Sequence, residues 1–332
     1  MIHASYRMDF KYLSRLAVPA FFMISGCFCY CPRKENENEE EFQARKLKRA
    51  KQKILAMLKY LLFGYLFYYL FDVIYAFSTG GNPSDVFKGF YSDHLFVDIF
   101  IYNHVSNSGG QMWFLLALFA VSCLHYAIVR FKIEKAYFFL PSLIVIFFLF
   151  AVWTYKFNGR VVWGEKSRNA LFLALPCFAM GFDVHYLLHR FSPKKKIWQI
   201  ALALLFLALA ASTFYLQIEE QKWLGTDAEM YIASWCSASC FIAFFLLCPS
   251  PNPKYYELVF GKSLAFYAFI YHGAVNKVLS YLKWSGIGKT YAVFGISLAL
   301  AVLTHWLFSL CGYLYRLSKK KRGDKKIDWS LS

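Results

Sequence analysis

The chain contains 332 residues, of which 58% are hydrophobic, 21% are aromatic and only 17% are charged. This is more apolar surface than one water-soluble domain would bury, so the composition excludes an ordinary soluble enzyme. The net charge of +17 does not require a nucleic acid as partner, because membrane topology and anionic lipid headgroups explain it.

Apolar stretches of about twenty residues recur along the chain, and a helix needs roughly 17–25 residues to cross a bilayer. Hydrocarbon offers no hydrogen bonds to the backbone, and the two-residue alternation of barrel strands is absent. The sequence therefore predicts an all-α fold, a polytopic integral membrane helical bundle. About nine complete transmembrane helices are predicted, near 16–31, 54–77, 111–129, 137–155, 169–188, 197–216, 230–248, 262–282 and 288–314.

Residues 1–3 are predicted to be the last turn of a preceding helix, because they are too short to cross a membrane and carry no signal-peptide pattern. We expect residues 1–315 to form one transmembrane domain and residues 316–332 a basic tail. Such a start means either that the start codon is assigned too late or that translation begins within the first helix.

Lysines and arginines predict the orientation of the bundle. If residues 32–53 lie in the cytoplasm, the loops on that side carry more than twice as many of them as the outer loops. The positive-inside rule then places the C-terminal tail in the cytoplasm. We expect a multi-pass protein of the inner (cytoplasmic) membrane, with membrane lipid as a partner.

Three of the nine cysteines, Cys27, Cys29 and Cys31, lie at the predicted cytoplasmic end of the first complete span, where thiols stay reduced. On a helix Cys27 and Cys31 share a face while Cys29 points elsewhere, which makes a poor metal site. The sequence predicts no metal.

Isolated polar groups within apolar helices are costly and are therefore candidate functional sites. Here they occur in four apolar segments and at the predicted helix stump. They are Arg15, Ser25 and Gly26 in "RLAVPAFFMISGCF", Trp113 in "GQMWFLLALF", Arg168 in "RNALFLALPCFAMGF", His272 in "GKSLAFYAFIYHGAV", and His3.

Each of these residues also has a structural interpretation. The Ser25–Gly26 step allows close approach of either a neighbouring helix or a thin ligand. Trp113 is at a predicted interface, where tryptophan belts are common, and Arg15 could extend its side chain to the headgroups. A buried His272 could bond to a neighbouring carbonyl, and the basic residues 45–53 could serve only as positive-inside anchors.

These segments, in this order, resemble the membrane-bound acyltransferase-3 family over roughly residues 1–315. The family's arginine followed by "VPxFFxxSG" is matched by Arg15, Val18, Pro19, Phe21, Phe22, Ser25 and Gly26. Its basic stretch before the next helix is similar to "ARKLKRAKQKI". "MWFLLAL", "LPCFAMGF" and "GKSLAFYAFIYHGAV" resemble the later signatures.

The resemblance implies an acyltransferase that moves an acyl group, most simply acetyl, from cytoplasmic acyl-CoA to a hydroxyl of a cell-surface polysaccharide or lipid-linked sugar. His3 would be the catalytic base, and Arg15 would hold the acceptor or stabilise developing charge. The other implied sites are donor contacts at Arg45, Lys48, Arg49, Lys53, Ser25 and Gly26, and substrate contacts at Trp113, Arg168 and His272.

The family carries an arginine or lysine about ten residues before this histidine, a position that would precede Met1. We therefore expect the first transmembrane helix to be truncated here and part of the active site to be missing from this chain. The alternative function is a multi-helix transporter or exporter of a small solute or glycan, although the repeat symmetry typical of transporters is not evident.

Overall fold

The computed structural model describes residues 16–82, 84–86, 112–143, 145–146, 169–224, 231–248 and 262–321. The chain divides into two compact units, Met1–Ser250 and Pro251–Ser332, and each is described by itself. Every regular element in the described ranges is helical, which confirms the all-α prediction.

We number eight α-helices in chain order, leaving aside the short helical stretches at 84–86 and 140–146 that are described only in part. They are α1 (Leu16–Cys27), α2 (Glu39–Ser78), α3 (Trp113–Arg130), α4 (Leu175–Phe191), α5 (Lys196–Leu224), α6 (Ile232–Leu247), α7 (Lys262–Tyr281) and α8 (Gly286–Lys321). A 3-10 helix, Glu134–Phe138, follows α3, and a π-helical turn, Ala170–Ala174, leads into α4.

Eight predicted spans coincide with these helices, whereas most of the ninth, 137–155, lies outside the described residues. Five helices are long and apolar enough to cross a membrane by length and composition. Large apolar side chains on α2, α5 and α8 are exposed, for example Leu62, Leu204 and Val302. A lipid environment accounts for this exposure, because lipid rather than protein covers the outer faces of a membrane bundle.

Helix α2 begins fifteen residues before the span predicted at 54, and local sequence explains the difference. Asn38 caps the helix by accepting a hydrogen bond from the backbone of Glu41, while the Glu41 side chain accepts one from the Asn38 backbone. This reciprocal capping box satisfies two backbone donors, and the acidic first turn suits the positive end of the helix dipole. Helix α2 therefore begins with a basic segment that lies before the predicted apolar span and is continuous with it.

Helix α1 ends at Cys27, earlier than the predicted boundary at 31, and crosses α4 at two glycines. A Cβ atom added to Gly26 would lie 1.9 Å from the Phe178 carbonyl oxygen, and one added to Gly181 would lie 1.8 Å from that of Met23. Only glycine permits this backbone-to-backbone distance, as at other close membrane helix crossings. The close approach at Gly26 is therefore made by a neighbouring helix.

The remaining helices of the first unit pack through side chain to backbone contacts. Glu220 on α5 accepts hydrogen bonds from the backbone N–H groups of Ile232 and Ala233 at 2.9 and 3.0 Å, and so caps the start of α6. Further along, Ser237 donates to the Ala210 carbonyl at 2.9 Å. These contacts fix α6 on α5 and satisfy backbone groups that hydrocarbon could not.

In the second unit α7 and α8 form an antiparallel pair. The hydroxyls of Tyr271 and Thr304 hydrogen-bond at 2.7 Å, and the rings of Tyr267 and Phe308 stack with centroids 6.0 Å apart. A polar contact between two otherwise apolar helices fixes their register.

Candidate functional site

The basic start of α2 carries the cations that the sequence predicts as a phosphate site. Arg45, Arg49 and Lys53 are spaced four residues apart, so successive members are displaced by only about 40° around the helix. Lys48 lies about 100° from Arg49 and about 140° from Lys53, on a different side of α2. Three of the four predicted cations therefore share a helical face.

The Lys53 ammonium is hydrogen-bonded to residues at the end of α1. Its ammonium donates to the Ser25 carbonyl at 2.6 Å, to the Ser25 hydroxyl at 2.9 Å and to the Cys29 sulfur at 3.1 Å. It also lies 4.9 Å from the centroid of the Phe178 ring. An ammonium has three donors, so these three contacts use all of them. A cation at this end also suits the negative pole of the α1 dipole.

The last carbonyls of α1 are all satisfied, which explains why the helix can end inside the bundle. The Ile24 and Gly26 carbonyls accept from Phe28 and Cys29 in the following turn. The Cys27 carbonyl accepts from the Nδ1 of His185 at 2.8 Å. Because a carbonyl only accepts, Nδ1 of His185 carries the hydrogen. Together with Lys53, these partners complete the C-terminal end of α1.

Arg45 is held by the turn that joins α1 to α2. Its Nε donates to Glu37 Oε1 at 2.6 Å, and its two terminal nitrogens donate to Cys31 Sγ at 2.6 Å and to the Pro32 carbonyl at 2.9 Å. The Arg45 hydrogen bond lowers the pKa of the Glu37 carboxyl to about 2. Nearby, Lys46 pairs with Glu134 at the start of the 3-10 helix.

Arg49 lies between Arg45 and Lys53 on the same face, and its side chain is exposed. Among the described residues neither Arg49 nor Lys48 makes a hydrogen bond or an ion pair. Lys48, which is also exposed, points to another side of the helix. The site therefore offers one unpaired guanidinium beside two cations that the fold holds in place, an arrangement that can bind an anionic group.

The family model for an acyltransferase domain, Acyl_transf_3, matches residues 1–310. The chain belongs to the acyltransferase 3 family. No curated protein and no solved structure matches it. The family match and the apolar helices together show that this protein is a multi-pass membrane acyltransferase. This confirms the family resemblance predicted from the order of the five segments.

Two of the other predicted site residues of this acyltransferase, Trp113 and His272, lie in the described ranges, one in each unit. Trp113 is half-buried at the start of α3, with its ring centroid 6.2 Å from those of Phe22 and Phe114. His272, on α7 in the second unit, bonds through Nδ1 to the Phe269 carbonyl. His3, Arg15 and Arg168 lie outside the described residues. Their predicted roles, and those of Trp113 and His272, stay predictions.

The structure adds buried polar groups that sequence analysis of this acyltransferase missed. His125 on α3 is 4% exposed and its Nδ1 lies 2.6 Å from the Tyr137 hydroxyl, while Tyr137 is fully buried. Asp183 on α4 is 8% exposed, and its Oδ1 has no hydrogen-bond partner. The available signal was a histidine and an aspartate inside apolar stretches, since such residues in membrane helices are rare and costly.

Tyr137 contacts both α3 and α4, because its hydroxyl bonds to His125 and its ring centroid lies 6.1 Å from that of Phe178. The Tyr137 ring packs on Phe182 with centroids 4.6 Å apart, one residue from Asp183. The 3-10 helix after α3 therefore packs at Tyr137 against the middle of α4. Phe178 contacts both the Tyr137 ring and the Lys53 ammonium, so this buried cluster lies near the end of α1.

Proposed function

We propose that this membrane acyltransferase moves an acyl group, most simply acetyl, from cytoplasmic acyl-CoA to a hydroxyl of a cell-surface polysaccharide or lipid-linked sugar. The enzyme would act in the inner membrane, with the basic end of α2 and the C-terminal tail in the cytoplasm. The observation that carries the proposal is Arg49, an exposed arginine between two cations that are already fixed by the fold.

The donor site follows from the charges on α2. Coenzyme A carries phosphate groups, and a guanidinium fork pairs with phosphate through two parallel hydrogen bonds. Arg45 and Lys53 are already hydrogen-bonded within the protein, so they contribute electrostatic attraction. Arg49 is the cation on this face that can turn toward a phosphate. Ser25 lies beside Lys53, where the acyl-pantetheine arm would pass α1.

The transfer itself would use groups on the outer side. The acceptor hydroxyl attacks the thioester carbonyl, His3 takes the hydroxyl proton, and the carbon–sulfur bond breaks as CoA leaves as a thiolate that regains a proton. An imidazole suits this step near neutral pH. Arg15 would stabilise the developing oxyanion. Trp113, Arg168 and His272 would contact the acceptor sugar.

The test compares Arg49→Ala with Lys48→Ala in membranes containing the full chain. Transfer of labelled acetyl from acetyl-CoA to membrane glycan is measured over a range of donor concentrations. We expect Arg49→Ala to raise the KM for acetyl-CoA by about tenfold or more, since a charge-assisted hydrogen bond contributes about 1.5–3 kcal/mol. Lys48→Ala is the matched control, with the same charge change on the neighbouring exposed position, and should change KM less than about twofold.

Equal effects of the two substitutions would remove Arg49 from the donor site and leave only a diffuse charge effect. If the membranes take up a solute but form no labelled glycan, the protein is a transporter and the proposed transfer is overturned. Acylation of a glycan that does not depend on Arg49 would place the donor at another surface.

A further inference from the structure

A buried imidazole lies beside the cation at the end of α1. His125 on α3 is only 4% exposed, and its ring centroid lies 5.4 Å from that of Phe178. The Lys53 ammonium lies 4.9 Å from the centroid of the same Phe178 ring and donates to the Ser25 hydroxyl at 2.9 Å. One aromatic side chain therefore contacts both His125 and the lysine that marks the proposed donor site.

The hydrogen bond to Tyr137 determines which ring nitrogen of His125 carries the hydrogen. Tyr137 is fully buried, and its hydroxyl lies 2.6 Å from Nδ1 of His125. Within the described residues this hydroxyl makes no other hydrogen bond. If the hydroxyl accepted from Nδ1, its own hydrogen would be buried without an acceptor, so we assign it as the donor. A ring whose Nδ1 accepts carries its hydrogen on Nε2.

The resulting Nε2–H group of His125 has no acceptor in the protein as far as the structure describes it. The bond to Tyr137 is the one hydrogen bond that His125 makes with the described part of the chain. The side chain is nevertheless 96% buried, since only 4% of it is exposed. A buried donor without a partner is costly and rare in native structures, so it indicates an acceptor that the chain itself does not supply.

The depth of His125 indicates which part of the donor supplies that acceptor. Arg49 is exposed, and Lys53 lies about 6 Å further along α2. When Arg49 binds a phosphate of CoA, the group that continues past Lys53 is the pantetheine arm. This arm is uncharged and carries amide carbonyls, which accept hydrogen bonds from neutral N–H donors. His125 lies about 7–8 Å along the axis from the end of α3, a depth that suits an inserted arm.

We propose that His125 binds the pantetheine arm of the acyl donor, with its Nε2–H group donating to an amide carbonyl. This rests on the proposed function, because the donor must first reach the basic face of α2. No covalent bond changes at His125, and the proton transfer assigned to His3 does not involve it. Tyr137 is a positioning residue, since its hydroxyl keeps the hydrogen of His125 on Nε2.

Two amide substitutions test the two ring nitrogens separately. The amide of His125→Asn lies near the former Nδ1, where it can accept from Tyr137, but it provides no donor at Nε2. The amide of His125→Gln reaches the former Nε2 and keeps a donor there, but it loses the bond to Tyr137. We expect His125→Asn to raise the KM for acetyl-CoA about five- to tenfold and His125→Gln less than about threefold, because one buried hydrogen bond is lost only in the former.

Stability provides the readout that a purely structural histidine would not separate from binding. His125→Gln should unfold at a lower temperature than His125→Asn, because it leaves the Tyr137 hydroxyl without an acceptor. The two variants should therefore rank in opposite order for stability and for donor binding. The same order in both measurements would show that His125 acts only through Tyr137 and would overturn the proposal. His189→Asn is the matched control, an identical change at an exposed histidine of α4, and should leave KM unchanged.

A donor without phosphates distinguishes His125 from the basic face of α2. S-acetylpantetheine keeps the amide groups of acetyl-CoA and lacks its phosphates. With this donor, His125→Asn should raise KM by the same factor as with acetyl-CoA, whereas Arg49→Ala should no longer change it. An effect of His125→Asn that disappears with S-acetylpantetheine would overturn the assignment to the arm.

Retention of labelled CoA by membranes containing the full chain separates this inference from the proposed function. Equal retention by the wild type, His125→Asn and His125→Gln overturns the role of His125 and leaves the proposed function standing. Absence of CoA retention by the wild type overturns both, since no donor then reaches the site.

Discussion

At the scale of single residues, the turn after α1 is held to α2 by charged side chains. Arg45 bonds to Glu37 and Cys31, while Lys53 bonds to Ser25 and Cys29. Both cations thereby satisfy acceptors that would otherwise be buried near hydrocarbon without partners. The Arg45–Glu37 pair is also partly buried, so it should matter more than an exposed pair does.

The Glu37 carboxyl predicts a pH dependence at this turn. Its pKa falls from 4.5 to about 2 in the folded state because Arg45 hydrogen-bonds to the ionised form. A depressed folded pKa contributes stability above the unfolded pKa, and that stability is lost as the pH falls from about 5 toward 2. We expect the unfolding temperature of the wild type to fall more steeply over this range than that of Glu37→Gln.

The control for this measurement is Glu39→Gln, which removes the exposed Arg33–Glu39 pair, with more than half of the Glu39 side chain in solvent. Its acid dependence should follow that of the wild type, because exposed pairs contribute little. Parallel curves for Glu37→Gln and the wild type would contradict the assigned role of Arg45.

At the scale of secondary-structure elements, the crossing of α1 and α4 is the tightest contact that the described glycines reveal. Gly26 and Gly181 allow backbone atoms of the two helices to touch, and two polar bonds flank the crossing. These are the Cys27 thiol to the Gly181 carbonyl and His185 to the Cys27 carbonyl. The crossing therefore positions the end of α1 and, with it, the partners of Lys53.

Gly26→Ala should destabilise the protein by about 1–3 kcal/mol or more, because the new methyl group overlaps the Phe178 carbonyl, which cannot rotate away. The usual gain of about 0.5–1 kcal/mol from replacing a helical glycine by alanine is smaller than this cost. The unfolding temperature of the purified protein measures the effect. Gly295→Ala is the control, since an added Cβ there meets nothing within 4 Å, and it should be neutral or slightly stabilising.

At the scale of the whole molecule, charge distribution and apolar spans predict how the chain is threaded through the membrane. Basic residues dominate residues 33–53, the loop at 190–196 and the tail after 316, whereas acidic residues cluster at 219–229. The helices α5 and α6, which flank this acidic loop, are apolar and joined by the Glu220 cap. The positive-inside rule assigns the basic segments to the cytoplasm.

Reporter fusions test this orientation. Alkaline phosphatase, which is active only outside the cytoplasm, should be inactive after Lys196 or Ser332 and active after Trp223. A fluorescent protein that folds in the cytoplasm should show the opposite pattern at the same three positions. The two positions that bracket α5 control for each other, and phosphatase activity after Ser332 would contradict the proposed cytoplasmic tail.

Apolar length and motif order by themselves determined the helical class, the position of most helices and the family. These features depend on residue type and spacing along the chain, since lipid forces each apolar stretch to satisfy its own backbone. The basic residues from Arg45 to Lys53 were likewise evident from the sequence as a candidate anion site.

The tertiary structure alone decided which of those cations are already hydrogen-bonded within the protein. Lys53 donates to the end of α1, and Arg45 donates to the turn that follows α1. Gly26 contacts the backbone of α4, about 150 residues later in the chain. The buried pair of His125 and Tyr137 is formed in the same way, by packing of separate elements. Such contacts depend on how helices cross, which short-range periodicity does not encode, because the same residue pattern fits several packing partners.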